Sequence, residues 1–268
     1  MLAAERKKLI VEYLKQNHIV TTQTLCDITD ASPATIRRDL TLLAEEGLLL
    51  RTHGGAQEIT PTQNRSEQLV SNYSQTFSSI RMDDEQFEYK NAIARKAIDL
   101  IHSGDILFIG ASFTCSLLCR HLNASRKKNI MVVTTNITGA LELASNNDIR
   151  VFLLSGIVHL GSNHIETLDE STVQSLTKLY FDKLFFTVDG ADLEYGYSIM
   201  NRTQLPLFTY LLDKVKDSYI LLNHAKYNKR TFTHLCNLDD IPNVVTDRNI
   251  PKEYVDYFNN HGIGLFLA

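Results

Sequence analysis

No apolar run in this 268-residue chain approaches the roughly 18 residues that a membrane-spanning helix needs. Runs such as Ile106-Leu107-Phe108-Ile109 are only four residues long. The opening Met1-Leu2-Ala3-Ala4-Glu5-Arg6-Lys7-Lys8 lacks the apolar stretch of a secretory leader, so a cytoplasmic protein without a membrane partner is expected. Cysteine is sparse: Cys26, Cys115, Cys119 and Cys236 are scattered with no Cys-x-x-Cys pair. Such cysteines read as reduced thiols packed as small hydrophobes, and neither a metal nor a cofactor is expected. A surplus of positive charge is also missing. The net charge is −4, which taken alone argues against a nucleic-acid partner.

Splitting the chain changes that inference. Residues 1–57 hold seven Lys/Arg and seven Asp/Glu, whereas residues 58–268 hold 20 and 24, so the larger part carries the whole acidic excess. At roughly 100–200 residues per domain, the length allows one large domain or two smaller ones. The 44% hydrophobic and 22% charged content is that of an ordinary globular protein.

In the first part, Leu9, Ile10, Tyr13 and Leu14 fall at helical spacing over residues 3–17. Ile19-Val20 reads as an extended link. A short second helix follows from an N-cap at Thr21 or Thr22 to about Thr29, with Leu25 and Ile28 facing inward. Ser32-Pro33 then restarts the chain: Ser caps, and Pro suits the first helical position because it lacks the N–H that would be orphaned there. The third helix runs to Glu46 with Ile36, Leu40 and Leu43 as its core face, and Gly47 suits its end. Leu48–Thr52 reads as a strand and His53-Gly54-Gly55 as its turn. Two helices across a tight turn, then a strand and a glycine turn, make a winged helix-turn-helix.

With the apolar face turned inward, Ser32, Ala34, Thr35, Arg37 and Arg38 crowd the start of the third helix, the end that reaches base edges in a major groove. Arg can bridge guanine O6 and N7, and Ser or Thr can bind phosphate oxygens. Arg51, His53 and Gly54 on the wing are placed for the adjacent backbone. A three-helix protein-interaction module with a solvated arginine face fits the same spacing.

The string Thr35-Ile36-Arg37-Arg38-Asp39-Leu40, then Glu46-Gly47 and His53-Gly54-Gly55-Ala56, resembles the N-terminal domain of DeoR-type bacterial transcriptional regulators. The resemblance implies binding to double-stranded operator DNA, and the regulation of a sugar-utilisation operon, most simply by repression. Winged helices commonly read symmetric half-sites, which implies a homo-oligomer.

Residues 58–80 are rich in Gln, Ser, Thr and Asn and read as a polar linker. From about Asp83 a helix is expected, with Ile93, Ala94, Ala97 and Ile101 on its buried face. Beyond it, apolar β-type runs at Ile106–Ile109, Ile130–Thr134, Val151–Leu154, Leu184–Val188, Tyr219–Leu222 and Val244-Val245 alternate with helical segments. Near-continuous apolar strands between helices indicate a parallel sheet covered on both faces. Ligands of such sheets bind at the carboxyl ends of the strands. The expected fold is therefore α/β, with a winged helix-turn-helix over 1–57, a linker over 58–80 and a parallel-sheet domain over 81–268.

Ile93-Ala94, Gly104-Asp105, Thr135-Asn136, Asp182-Lys183, Val188-Asp189-Gly190, Lys226 and Thr246-Asp247 resemble landmarks of the DeoR-type sensor domain. That resemblance implies the fold of ribose-5-phosphate isomerase and a phosphorylated-sugar effector. The candidate effector residues are Ser112, Phe113 and Thr114 in the first strand-end loop, Asn136 in the second and His159 in the third. Asp189 and Asp192 come from the fourth and Lys226 from the fifth. Small hydroxylated residues before a helix can hold phosphate on free N–H groups, and Lys226 would meet it as a point charge.

Each has a plainer reading. Ser112 can be an N-cap and Phe113 a core residue; His159 and His164 can be polar lining; Lys226 can be a surface lysine. The family usually reads Asp, Ser, Gly, Thr, Thr across Gly110 to Thr114, and Asp and Ser at Asn223 and His224. These departures leave a non-phosphorylated ligand open. Asp189-Gly190-Ala191-Asp192 also resembles the acidic motif of sugar-phosphate isomerases, but the following Leu193–Arg202 lacks their lysine and glycine run, so catalysis is not expected.

Overall fold

The computed structural model describes residues 3–45, 48–52, 54–58, 85–161 and 164–268. They fall into two compact units, one up to residue 58 and one from residue 85 onward. The expected linker over 58–80 lies almost wholly outside the described residues, as do Glu46, Gly47 and His53.

The first unit contains α1 (Ala3–Asn17), β1 (Ile19–Thr21), α2 (Thr22–Thr29), α3 (Pro33–Glu45), β2 (Leu50–Thr52) and β3 (Gly55–Gln57). Helix α2 starts where Thr21 Oγ1 accepts the Thr24 N–H at 3.1 Å, and it stops at Asp30, whose φ of 50° is left-handed. Ile10, Leu14, Val20, Leu25, Ile36, Leu40, Leu43, Leu49 and Ala56 form one dry core. Ile19-Val20, expected to be only a link, is a strand that pairs with β3, giving the antiparallel order β1-β3-β2. That pairing is why Gly55 must be glycine: a Cβ there would stand 1.9 Å from the Val20 carbonyl oxygen. Arg6 Nε donates to Asp39 Oδ2 at 2.5 Å, and this nearly buried pair ties α1 to α3.

The second unit is built on seven parallel strands in the order β15-β14-β12-β9-β4-β5-β6. They are β4 (Ile106–Ile109), β5 (Ile130–Thr134), β6 (Ile149–Leu153), β9 (Lys183–Phe186), β12 (Ser218–Leu222), β14 (Asn243–Thr246) and β15 (Gly264–Leu267). The expected strands are all present within two residues. Edge strand β15 was not anticipated, because its burial is only partial and its apolar run is short. One face carries α4 (Phe87–Ile98), α5 (Phe113–Asn123) and α6 (Ile137–Leu143), and encloses the core of Ile93, Ile109, Leu118 and Phe185. The other encloses Phe108, Leu184, Phe186, Phe208 and Ile220, with α7 (Glu170–Leu176), α8 (Leu205–Lys214) and α9 (Lys252–Asn260) on that side. Apolar residues on both faces of each central strand explain the unbroken hydrophobic runs.

Two small antiparallel additions stand at the strand ends. One is the hairpin of β7 (Val158–Leu160) and β8 (Ile165–Thr167); the other contains β10 (Gly190–Asp192), β11 (Gly196–Ile199) and β13 (Thr233–Cys236). No helix among the described residues is long and apolar enough to cross a membrane.

Candidate functional site

On the first unit, burial of Ile36, Asp39, Leu40 and Leu43 turns the opposite side of α3 to solvent. Ser32 Oγ accepts the Thr35 N–H at 3.3 Å, so the N-cap expected from Ser32-Pro33 is formed. Ala34, Arg37 and Arg38 are exposed one turn in. Arg51 on β2 joins this face: its Nη1 donates to Thr41 Oγ1 at 3.1 Å, and Thr41 in turn donates to the Arg37 carbonyl at 2.9 Å. Gly54 is exposed, and its carbonyl accepts the Thr22 N–H at 2.7 Å. Thus Ala34, Arg37, Arg38 and Arg51 share one cationic, solvent-facing surface with the Ser32–Thr35 cap at its end. A surface of this kind supplies phosphate neutralisation and guanidinium forks for base edges.

In the second unit a cavity of about 150 Å³ opens at the carboxyl ends of β4, β9 and β12. It brings together Ser112, Phe113, Thr114, Asp189 and Lys226 of the expected residues, and adds Lys90, His164, Thr187 and Asn223. Ser112 caps α5, its Oγ accepting the Cys115 N–H at 3.1 Å. Ser112, Phe113 and Thr114, the cap and first turn of that 11-residue helix, line the cavity together with Lys90 and Lys226, and first-turn N–H groups of a helix have no intrahelical partner. Lys226 Nζ donates to Asp189 Oδ1 at 3.2 Å, while Asp189 Oδ2 accepts the Met200 N–H at 2.8 Å. Phe113 is both of its readings at once: it is nearly buried, tilted against Phe87 with ring centroids 6.1 Å apart, and forms part of the cavity wall.

Three expected effector residues do not line this cavity. Asn136 is fully buried and caps α6, its Oδ1 accepting the Gly139 N–H at 2.9 Å while its amide donates to Ser116 Oγ at 3.0 Å. Its amide has no lone direction left toward a ligand. His159 faces the inner side of the β7–β8 hairpin, with Nε2 2.9 Å from the Leu168 carbonyl oxygen. Asp192 takes Arg230 Nε at 2.8 Å and two backbone N–H groups of its own turn, and the arginine holds its carboxyl below the usual carboxylate range.

Lys90 had no local signal in the sequence; only the packing of α4 onto the strand ends brings it here. Asn223, met as a departure from the family pattern, donates to Gln86 Oε1 at 3.2 Å, and so ties the start of α4 to the cavity. His224 instead turns to Asp247, Nδ1 to Oδ1 at 3.0 Å. His164 Nε2 is buried, makes no hydrogen bond among the described residues, and stands 4.0 Å from Glu166 Oε1. Burial lowers the His164 pKa, against a smaller opposing pull from Asp189, and burial raises that of Glu166.

The unfolded chain binds a proton at His164 more readily than the native one, so stability is lost as pH falls below about 6.5. Glu166 acts in the opposite sense, favouring the native state more as pH falls toward the ordinary carboxylate range. Between about pH 5 and 7, chemical denaturation of the wild type is expected to show stability rising with pH, and His164→Asn to remove part of that rise. His121, lowered by burial, Arg95 and Arg120, supplies another part. Identical slopes in both proteins would show that His164 is not held neutral.

Each of the two units matches a known domain family. Residues 6–62 match the DeoR-like helix-turn-helix domain and residues 85–248 the DeoR C terminal sensor domain. The chain belongs to the DeoR family of transcriptional regulators. It is similar to the HTH-type transcriptional repressor GlcR of Bacillus subtilis (strain 168), 30% identical over all of this chain and 97% of that one. It is also similar to the glycerol-3-phosphate regulon repressor of Escherichia coli (strain K12), 26% identical over the full length of both. A ribose 5-phosphate isomerase from Plasmodium falciparum overlays 52% of each chain at 16% identity, with a TM-score of 0.37. This DeoR-family protein is a DNA-binding regulator with a C-terminal sensor domain, and the relatives it is similar to are named as transcriptional repressors.

Proposed function

We propose that this regulator represses a sugar-related operon, and that a phosphorylated sugar in the cavity of the sensor unit controls it. In this reading residues 1–57 hold operator DNA, with Ser32, Ala34, Thr35, Arg37, Arg38, Arg51, Gly54 and the undescribed His53 at the duplex. Residues 81–268 sense the effector, 58–80 join the two, and the protein acts as a homo-oligomer on a symmetric operator. The observation that carries the effector assignment is the convergence of Lys226, Lys90 and the N-terminal turn of α5 on one cavity. Two ammonium groups and a helix N-terminus are the chemistry of a phosphate site. Asp189 and Thr114 line the same cavity and would meet the hydroxyl groups of such a ligand. A relative named for glycerol-3-phosphate supports a phosphorylated ligand.

Effector control requires that the ligand bind the two DNA-affinity states unequally. The test is a thermal-shift and operator-release panel of three- to six-carbon sugar phosphates, with the free sugars and inorganic phosphate as controls. At least one sugar phosphate is expected to raise the Tm and weaken operator binding. Lys226→Ala is expected to cut the Tm shift several-fold. Stabilisation by the free sugar alone would move the assignment to a non-phosphorylated effector, and an equal shift in wild type and Lys226→Ala would remove Lys226 from the site.

A further inference from the structure

Among the described residues of the second unit, a large apolar surface is exposed. Edge strand β6 is hydrogen-bonded only to β5 among the described residues. Its consecutive Phe152 and Leu153 are 49% and 42% exposed. Neighbours on a strand point to opposite faces, so exposure of both means that the edge itself is uncovered rather than one face of the sheet. Beside it, Ile157, Val158 and Leu160 are 62%, 58% and 81% exposed. Val158 and Leu160 share the outer side of the β7–β8 hairpin, while His159 and Glu166, paired across it, share the inner side. The hairpin is closed at its base by the Leu168 N–H, which donates to the Ile157 carbonyl at 2.9 Å, and is fastened to the residue after β6 by Thr167 Oγ1, which donates to the Leu154 carbonyl at 2.7 Å. On the α6 side the surface continues into an apolar groove of about 380 Å³ lined by Ile137, Leu141, Val151 and Leu153.

We infer that this face, β6 edge and β7–β8 hairpin together, is the self-association surface of the sensor unit, and that its occupant is a second copy of this chain. Three observations favour a copy of itself over another protein. An open strand edge is self-complementary: a two-fold axis brings two β6 edges together antiparallel, so each satisfies the other's free N–H and C=O groups. Apolar side chains on both sides of that edge need a partner that covers both, which a second edge does. The five exposed side chains amount to on the order of 500 Å² of apolar surface. A stable interface needs about 800 Å² per partner, so the patch supplies the apolar centre and the strand backbone and groove supply the rest. The placement has a consequence for control. The inner side of the same hairpin continues into His164, which lines the ligand cavity, so a ligand there acts one hairpin thickness from the partner copy.

This inference rests on the homo-oligomer reading above and locates it. The test is the mass of the full chain in solution without DNA, by sedimentation velocity at micromolar concentration. Wild type is expected at twice the 30.4 kDa chain mass or an even multiple of it. The double variant Ile157→Lys/Leu160→Asp is expected at half the wild-type mass, with unchanged circular dichroism because both side chains are exposed. Phe232→Asp, 73% exposed on the segment before β13, is expected to keep the wild-type mass. A monomeric wild type would overturn the homo-oligomer reading and this surface with it, whether the face is covered by the chain's own residues or by a different protein. A double variant that keeps the wild-type mass would overturn the surface alone. Hydrogen exchange decides independently of any substitution. Protection of the β6 amides is expected to rise with protein concentration, and concentration-independent exchange there in an oligomeric wild type would overturn the assignment.

Discussion

Arg37→Ala and Arg38→Ala are each expected to lose roughly 1–3 kcal/mol of affinity for the operator, about 5- to 150-fold, and to relax sequence preference at the base pairs they meet. Both guanidinium groups are exposed on the first turns of α3, and the residues between which they stand, Ile36, Asp39 and Leu40, are buried. Truncating either arginine therefore leaves the core and the Arg6–Asp39 tie in place, and thermal unfolding of the variant should match the wild type. This separates a binding effect from a folding effect. Titrations on a duplex selected in vitro, at several salt concentrations, also separate two roles. An arginine that grips phosphate weakens all sequences alike and lowers the salt slope by about one; an arginine that reads a base weakens the selected duplex most. Binding unchanged at fixed salt in both variants would take α3 out of the groove. It would also restore the protein-interaction alternative, in which Arg37 and Arg38 only solvate a helix face.

The contrast between the two units shows what can be read from residue order. In the first unit nearly everything is local. Ser32-Pro33 starts a helix by its own chemistry, the 3- and 4-residue spacing of Ile36, Leu40 and Leu43 sets its buried side, and the remaining exposed positions are thereby fixed. The wing was legible as far as β2; strand β1 was missed because three residues with only Val20 buried carry too little periodicity to identify. In the second unit the parallel strands were legible from unbroken apolar runs. The cavity was only half legible. Ser112, Phe113, Thr114, Asp189 and Lys226 announce themselves at strand ends, but Lys90 reaches the cavity from a helix some 20 residues earlier, and only tertiary packing puts it there. His159 and Asp192 sit at strand ends as well, yet the hairpin register turns the first inward onto Leu168 and Arg230 occupies the second. Strand-end position indicates which loops surround a site; it does not say which side chains a neighbour has already claimed.

Asn136 carries that distinction to its largest consequence. Asn136→Ala is expected to destabilise the sensor unit by roughly 3 kcal/mol, well beyond what loss of a ligand contact would do to the ligand-free protein. The side chain is fully buried, and its Oδ1 satisfies the Gly139 N–H at the start of α6. Losing an N-cap costs about 1 kcal/mol. Its Nδ2 lies 3.0 Å from Ser116 Oγ, 3.3 Å from the Ser112 carbonyl and 3.4 Å from the Gly110 carbonyl, so one amide joins α5, α6 and the loop after β4. Each buried group left without a partner adds on the order of 1–3 kcal/mol. Water cannot readily substitute, because α6 is pressed against α5: a Cβ added at Gly139 would stand 2.9 Å from Cys119 Sγ. Asn136→Ser keeps a capping oxygen and loses the amide arms, so its destabilisation should fall between wild type and Asn136→Ala. Urea denaturation without ligand measures this directly. If Asn136 instead served the effector, both variants would unfold like the wild type and only the ligand-induced rise in Tm would disappear. The predicted order, wild type above Asn136→Ser above Asn136→Ala in the absence of any ligand, is what a residue holding the cavity loop in place must give, and a ligand-contacting residue would not.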